Sequence, residues 1–333
     1  NGGDVMPEQL VFAMEVFLNG LMAGVLYALV ALGFVLIFKA SGIFNYAQGV
    51  MALFSAMTLV GIMKGQVPFA HVINAIFGTD VHYFGWTVPA LLAIILTVAV
   101  MVLFAWAVQK YIFRHLVGQE PIILFMATIG LAYFLEGVGD LMWNSEIKKL
   151  DVGLPQGINE AIDNYTFNIF DYGFFIDNLD IVATLIAALL VGGLVIFSQY
   201  SKEGRAMRAV ADDHQAALSV GVSLNFIWIM VWSVAGFVAL VAGIMWGTKS
   251  GVQFSLSLIA LKALPVLMLG GFTSIPGAIV GGLIIGVGEK LFEFAIGPMV
   301  GGATENWFAY VLALIFLVFR PQGLFGEKII ERV

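Results

Sequence analysis

Residues 201–224 read SKEGRAMRAVADDHQAALSVGVSL, with apolar runs on either side at 180–199 and 224–246. Lys202, Glu203, Arg205, Arg208, Asp212 and Asp213 gather here in a chain that is only 11% charged. Such an interruption between two runs of about 20 apolar residues is a polar island held outside a membrane. Within it Met207, Val210, Ala211, His214 and Leu218 recur at helical spacing, opposite Arg205, Arg208, Asp212 and Gln215. The spacing predicts a short amphipathic helix on the cytoplasmic side. What that helix docks against is the question on which function turns.

Working outward, the hydrophobic fraction is 61% and the mean hydropathy +0.98. Soluble domains average about 45–50% apolar residues, and no soluble core could enclose this much apolar surface. The runs are continuous rather than alternating in strand-length pieces, so helices are expected and a barrel is not. The chain therefore reads as an all-α integral membrane protein. Cysteine is absent, which fits a protein without disulfide or thiolate chemistry. A net charge of -7 argues against nucleic acid as a partner. The opening NGGDVMPEQL has no basic leader region, and Met6 is a candidate natural start.

Apolar segments fall near 10–38, 43–63, 87–109, 121–143, 180–199, 224–246, 256–273, 277–296 and 303–320. Asn19-Gly20 interrupts the first, which suggests a short helix joined to a full span. This gives a polytopic bundle of about eight or nine transmembrane helices. With nine crossings and the N-terminus outside, the inner side receives Lys39, Lys110, Arg114, Lys202, Arg205, Arg208, Arg320, Lys328 and Arg332. The outer side receives only Lys64, Lys148, Lys149 and Lys249, while Lys262 and Lys290 fall inside spans. That bias predicts an outside N-terminus and a cytoplasmic C-terminus. There is no 20–50-residue repeat and no soluble appendage, so residues 1–333 read as one transmembrane domain.

Two external segments are long enough to hold structure. Residues 65–86 contain Pro68, Phe69, His71, Phe77, His82, Tyr83, Phe84 and Trp86. Residues 144–180 interleave acidic residues with Tyr165, Phe167, Phe170, Tyr172, Phe174 and Phe175. Interfacial aromatics beside a solvated acidic loop are one reading, and a docking surface for an extracytoplasmic partner is the other. Asn164-Tyr165-Thr166 also matches a glycosylation sequon, a motif short enough to arise by chance.

Inside the spans, small residues repeat every four positions. Gly20, Gly24 and Ala28 form one stripe, Ala235, Ala239, Gly243 and Gly247 a second, and Ala278, Gly282 and Gly286 a third. Such stripes let helix backbones approach closely and predict tight packing. Polar groups at membrane depth are rarer. Asn45, Gln48, Lys262 and Glu136 are the candidate substrate-pathway residues, because buried polar groups face a bundle interior or a cavity. A structural ion pair is the competing reading for Lys262, with Glu136 or Glu289 as its partner. Pro265, three residues on, removes a backbone donor and loosens the helix there. Glu289, Lys290 and Glu293 lie toward the outer end of their span.

Catalytic signatures are missing. GIMWGTKS at 243–250 superficially resembles a phosphate-binding loop, but it lacks glycine before Lys249 and ends a span rather than a strand. His71, His82, His115 and His214 show no metal-ligand spacing, and no nucleophile elbow is present. A lone ion-coupled carrier is compatible with intramembrane Glu and Lys, though paired inverted halves are not evident. A membrane receptor or scaffold subunit is a further alternative.

Four stretches narrow the choice. SGIFNYAQG at 41–49, GRAMRAVADDHQAALSVG at 204–221, KALPVLMLGGFTSIPGAIVGG at 262–282 and FRPQGLFG at 319–326 are all distinctive. Together they resemble the permeases of branched-chain (hydrophobic) amino acid ABC transporters, from about residue 10 to 326, and the first of their two paralogous permease subunits in particular. The long aromatic segments at 65–86 and 144–180 depart from that pattern. The resemblance implies an importer in the bacterial inner membrane, with a second permease completing the path and a soluble extracytoplasmic binding protein delivering substrate. Two cytoplasmic ATPase subunits would hold ATP and Mg, and this chain no cofactor. It further implies that the helix within 204–221 is a coupling helix. Arg205, Arg208 and Asp212 would then be its charged contacts, with Met207, Val210 and His214 seated in an ATPase cleft. Urea, short amides or other small organic solutes are alternative cargoes within the same family.

Overall fold

The computed structural model describes residues 8–116, 118–144, 146–155, 164–169, 172–212 and 214–326. In chain order the helices are α1 (Glu8–Ser41), α2 (Gln48–Met63), α3 (Ala70–Phe77), α4 (Ala90–Tyr111) and α5 (Pro121–Trp143). A hairpin of β1 (Asn164–Ile169) and β2 (Tyr172–Asp177) follows. The chain continues with α6 (Asn178–Tyr200), α7 (Lys202–Asp212), α8 (His214–Ser219), α9 (Leu224–Ser250), α10 (Ile259–Gly270), α11 (Ile275–Val300) and α12 (Glu305–Phe319). Among the described residues, five helices are long and apolar enough to cross a membrane, at 10–41, 90–115, 121–143, 178–200 and 224–250. The protein is a multi-pass helical membrane protein.

Three expectations change in detail. The first apolar run is one continuous helix, because Gly20 lies flush against another helix instead of breaking its own. The runs at 256–273 and 277–296 are not two straight spans: α10 has only 12 residues, and the chain turns by 114° before α11. About 20 residues are needed to cross hydrocarbon, so this pair is a broken span or a re-entrant loop. At 15–16 residues, α2 and α12 are also shorter than that length. Finally, the acidic aromatic segment contains a hairpin, paired in antiparallel register from Asn164–Asp177 to Ile169–Tyr172. Aromatic enrichment at alternate positions suits a pleated strand.

The chain divides into two compact units, and α1, α6 and α10 each run from one into the other. One unit comprises residues 1–31, 154–191 and 262–333. Its spine is the crossing of α1 with α11. A Cβ added at Gly24 would stand 2.7 Å from the Gly282 carbonyl oxygen, and one at Gly286 would stand 2.4 Å from the Gly24 nitrogen. These backbones touch, which makes dispersion contact where a larger side chain would hold them apart. Val11 and Ile176 pack together with Leu18, Met22 and Ile181, seating the end of the hairpin on α1 and α6. At the other end, Gly271 takes φ +103° to turn the chain between α10 and α11. The C-terminal segment closes on that turn, with Leu324 N donating to Leu269 O (2.8 Å) and Phe325 N to Gly270 O (3.2 Å).

The other unit comprises residues 32–153 and 192–261. Here α9 is the central helix, packed on α2 and α4. A Cβ at Gly243 would lie 2.6 Å from the Ala52 carbonyl oxygen, so α2 and α9 cross at a small-residue contact. Gly247, the next in that stripe, faces side chains of Val252, Leu150 and Leu256. Phe113 stacks on Trp232 with ring centroids 4.9 Å apart, fixing the end of α4 to α9. The opposite face of α4 exposes Leu91, Leu92, Ile95, Leu96 and Leu103. In a helix that crosses a bilayer, such an apolar exposed face is the lipid-facing one.

Candidate functional site

The charged centre lies in the unit that holds α11. Lys262 on α10 donates from Nζ to Glu289 Oε1 on α11, and also to the carbonyl oxygen of Glu305 at 3.0 Å. The next residue on α11, Lys290, meets Glu305 Oε1 through its Nζ at 2.7 Å. Tyr27 of α1 sits against the Glu289 carboxylate. Glu293 Oε1 accepts from Ala303 N (3.1 Å) and its Oε2 from Thr304 N (2.6 Å), pinning the turn into α12. Two lysines therefore face two glutamates across three helices, with Glu289 only 1% exposed and the Lys262 side chain 29% exposed. Of the two partners expected for Lys262, the bond is made to Glu289. Pro265 stands inside α10, one turn from the pair.

Asn45 and Gln48 come together in the other unit, where both are buried. Asn45 Oδ1 accepts from Ala47 N (3.1 Å), and its Nδ2 donates to Gln48 Oε1 (3.2 Å). Gln48 Nε2 in turn donates to the Ala235 carbonyl oxygen on α9 (3.2 Å). A Cβ at Gly33 would lie 2.2 Å from that Nε2, so the amide fills the gap beside a glycine of α1. The polar atoms that flagged these residues are thus spent on one another and on backbone, as buried polar groups must be. Glu136 is half-buried on α5, one turn before Asp140, and among the described residues no ion pair involves it.

The polar island forms α7 and α8. Ser201 Oγ accepts from Gly204 N at 2.8 Å, which caps α7. Gly204 fits where a Cβ would stand 2.4 Å from Phe197 O, so α7 starts pressed against the end of α6. Arg205 Nη1 reaches Tyr200 O (3.0 Å) and Arg208 Nη2 reaches Gln199 O (3.2 Å). Both guanidiniums satisfy terminal carbonyls of α6 and complement its dipole. Met207 and Val210, read as side chains for a partner's cleft, are 1% and 0% exposed within this chain. The outward groups are Lys202, Glu203 and Arg205, with Leu218 and Val220 beyond them. The side chains of Asp212 and His214 lie outside the described residues.

A fourth cluster had no sequence signal beyond a Lys-Lys pair in a polar loop. Lys148 is buried, donating to Gln66 Oε1 at 2.8 Å and to the Trp143 carbonyl oxygen. Its backbone pairs with Val252 in both directions (3.0 and 2.8 Å). Burial, with Lys64 nearby, pushes its ammonium down to about 8 from the ordinary 10.5, against a weaker upward pull from Glu146. Among the described residues no group of three or more His, Asp or Glu could hold a metal ion.

Residues 16–320 match the family described as branched-chain amino acid transport system, permease component. The chain is similar to the high-affinity branched-chain amino acid transport system permease protein BraD of Pseudomonas aeruginosa. The two are 29% identical over 98% of this chain and 100% of that protein. It is 25% identical to the permease protein LivH of the same kind of system in Escherichia coli K12, over 98% and 100% of the two chains. A probable branched-chain amino acid transport permease protein LivH of Methanocaldococcus jannaschii matches at 25% identity over 90% of this chain and 89% of its own.

Proposed function

The chain belongs to the permease component family of branched-chain amino acid transport systems, and from that premise we propose that it is the permease subunit of an ATP-binding cassette importer. The cargo is a branched-chain or related small hydrophobic amino acid, and the location is the bacterial inner membrane. The observation behind this reading is the match across residues 16–320, together with similarity to BraD and LivH that extends over their full length. A second, paralogous permease subunit completes the path. Two ATPase subunits bind ATP and Mg at the cytoplasmic face, and a binding protein delivers substrate from outside. In this arrangement α10 and α11 together return to the side they start from, which keeps the N-terminus outside and the C-terminus inside, following the excess of Lys and Arg in the loops assigned to the cytoplasm.

Coupling falls to α7 and α8. With Met207 and Val210 turned inward, the contact with an ATPase runs through Arg205, Lys202 and Glu203, with Leu218 and Val220 as the apolar groups. The buried face fixes α7 to the bundle, so a push on the outward face is passed to α6 and α9. ATP-bound and ATP-free ATPases then bias the bundle only through unequal contacts with its two states. Of the pathway candidates, Lys262 stays nearest that role, since a charged side chain that is partly exposed at membrane depth must face water or protein instead of lipid.

The test is reconstitution. Proteoliposomes containing this chain, its second permease, the ATPases and the binding protein are expected to take up radiolabelled leucine, isoleucine or valine only with ATP supplied on the ATPase side. Gradient-driven uptake by this chain alone would overturn the reading.

A further inference from the structure

The segment joining α2 to α4 is a built platform. Gly65 turns the chain at φ +61°, and a Cβ there would stand 2.0 Å from the Trp86 carbonyl oxygen. The two edges of the segment are tied by Val67 N to His82 O (3.0 Å) and Phe84 N to Gly65 O (2.8 Å). Val88 N to Met63 O (3.0 Å) closes the base, and Phe69 N to Met142 O (3.0 Å) fastens the segment to the end of α5. Asn74 organises the tip: its Oδ1 accepts from Val81 N (3.1 Å) and Thr79 Oγ1 (2.9 Å), and its Nδ2 donates to Val81 O (3.3 Å). The backbone is thus largely satisfied from within, as a segment must be if it is to leave water.

What this scaffold holds outward is apolar. Ile76 and Phe77 of α3 are 68% and 72% exposed, and Val81, Tyr83, Phe84 and Trp86 are exposed beside them. Phe84 and Trp86 stack with centroids 5.8 Å apart. Between residues 65 and 86 the only formal charge is Asp80, which lies 3.1 Å from His82. A protein-docking surface that must release its partner has a polar, charged rim, and this one has none to speak of. The exposed surface instead runs on from Trp86 into Leu91, Leu92 and Ile95 of α4, the face that meets lipid. Aromatic rings and a short apolar-faced helix at the end of a span are the arrangement that headgroup depth favours.

We infer that α3 and residues 81–86 lie in the membrane interface, with Ile76, Phe77, Phe84 and Trp86 seated in phospholipid at the glycerol–acyl boundary. The platform extends the lipid-facing surface of α4 and anchors this end of the unit at a fixed depth. The inference holds whichever way the chain is oriented.

The cysteine-free sequence makes the test direct. Phe77→Cys, Phe84→Cys, Asp80→Cys and Ile95→Cys, each in the full chain, take one nitroxide label and are reconstituted into phosphatidylcholine bilayers. Collision of each label with oxygen and with a water-soluble nickel chelate is then read by electron paramagnetic resonance. The oxygen-to-nickel ratio at 77 and 84 is expected to approach that at 95 on α4 and to exceed the ratio at 80 several-fold. Two positions are read so that poor folding of one variant leaves the other decisive. Nickel access at 77 and 84 equal to that at 80 would mean a water-facing surface left for a protein partner, and would overturn the inference. Shielding from both reagents would mean burial against protein, and would overturn it equally.

Discussion

Lys262 and Glu289 form an ion pair between α10 and α11, and the same ammonium also holds the backbone of Glu305 at the start of α12. One lysine thus ties three helices of its unit at a point where Glu289 has almost no contact with solvent. Burying two charges is costly, and their attraction offsets the cost only while both are present. The pair is therefore a poor source of net stability and a strict condition on the geometry of the broken span.

Lys262→Met should accordingly strand Glu289. Removing one member of a fully buried pair costs roughly 3–5 kcal/mol, and the partial exposure of Lys262 lowers the expected loss to about 2–3 kcal/mol. Lys262→Met combined with Glu289→Leu should recover most of it. Melting of the three proteins in one detergent checks this. A double variant as unstable as the single would show that the pair is not what the single variant breaks. If Lys262 also serves the path, the double variant will fold well and still transport poorly.

The Asn45–Gln48 pair should behave differently. Gly33→Ala forces the Gln48 amide away from its place, breaking its bond to Ala235 O, and Gln48→Ala removes that amide altogether. Each should cost about 1–3 kcal/mol, the range for a lost buried hydrogen bond. The two should be strongly non-additive, with Gly33→Ala nearly harmless once Gln48 is Ala. Uptake per folded molecule is expected to keep its KM in both. A raised KM with unchanged melting would place these residues on the path.

How much of this was legible in the sequence differs by residue. The long spans at 90–115, 121–143, 178–200 and 224–250 were visible because lipid demands unbroken apolar length. Lys262 and Glu289 were visible as charges in apolar runs, with their pairing among the options. The apolar face of α7 was visible too, but not its direction: Met207 and Val210 have the same periodicity whether they enter a partner or fold back onto their own chain. Asn19-Gly20 read as an interruption because helix propensity is local, whereas the contact of Gly20 with Val287 is distant in sequence. Lys148 gave no signal. Its burial depends on Gln66, Trp143 and Val252 converging from three places in the chain.

The small-residue crossings should be sensitive to single methyl groups in a position-dependent way. At Gly24 and Gly286 an added Cβ meets backbone, which cannot swing aside, so α1 and α11 must separate. Gly24→Ala and Gly286→Ala should each cost about 1–3 kcal/mol, the usual range for overpacking. Gly130→Ala and Gly137→Ala on α5 meet nothing within 4 Å and should be neutral, or stabilising by up to about 1 kcal/mol through helix propensity. Equal melting shifts in the two sets would argue against close contact between α1 and α11.

Lys148 predicts an unusual pH dependence. Its folded ammonium titrates near 8 while the unfolded chain holds the proton up to about 10.5, so between those values the unfolded state binds more protons. Stability must then rise with pH across that window. Below about 8 the penalty for burying the charge is present in full, and above 10.5 it is gone. Two and a half pKa units correspond to roughly 3 kcal/mol, of which the nearby Lys64 accounts for a part that salt will screen. Lys148→Met removes the titrating group along with its bonds to Gln66 and Trp143. The variant should be flat where the wild type gains, so the wild-type melting temperature minus that of the variant should grow as pH rises from 8 to 10.5. Lys64→Gln should reduce the gain without abolishing it. Parallel curves for wild type and Lys148→Met would show that this lysine keeps an ordinary pKa in the folded protein.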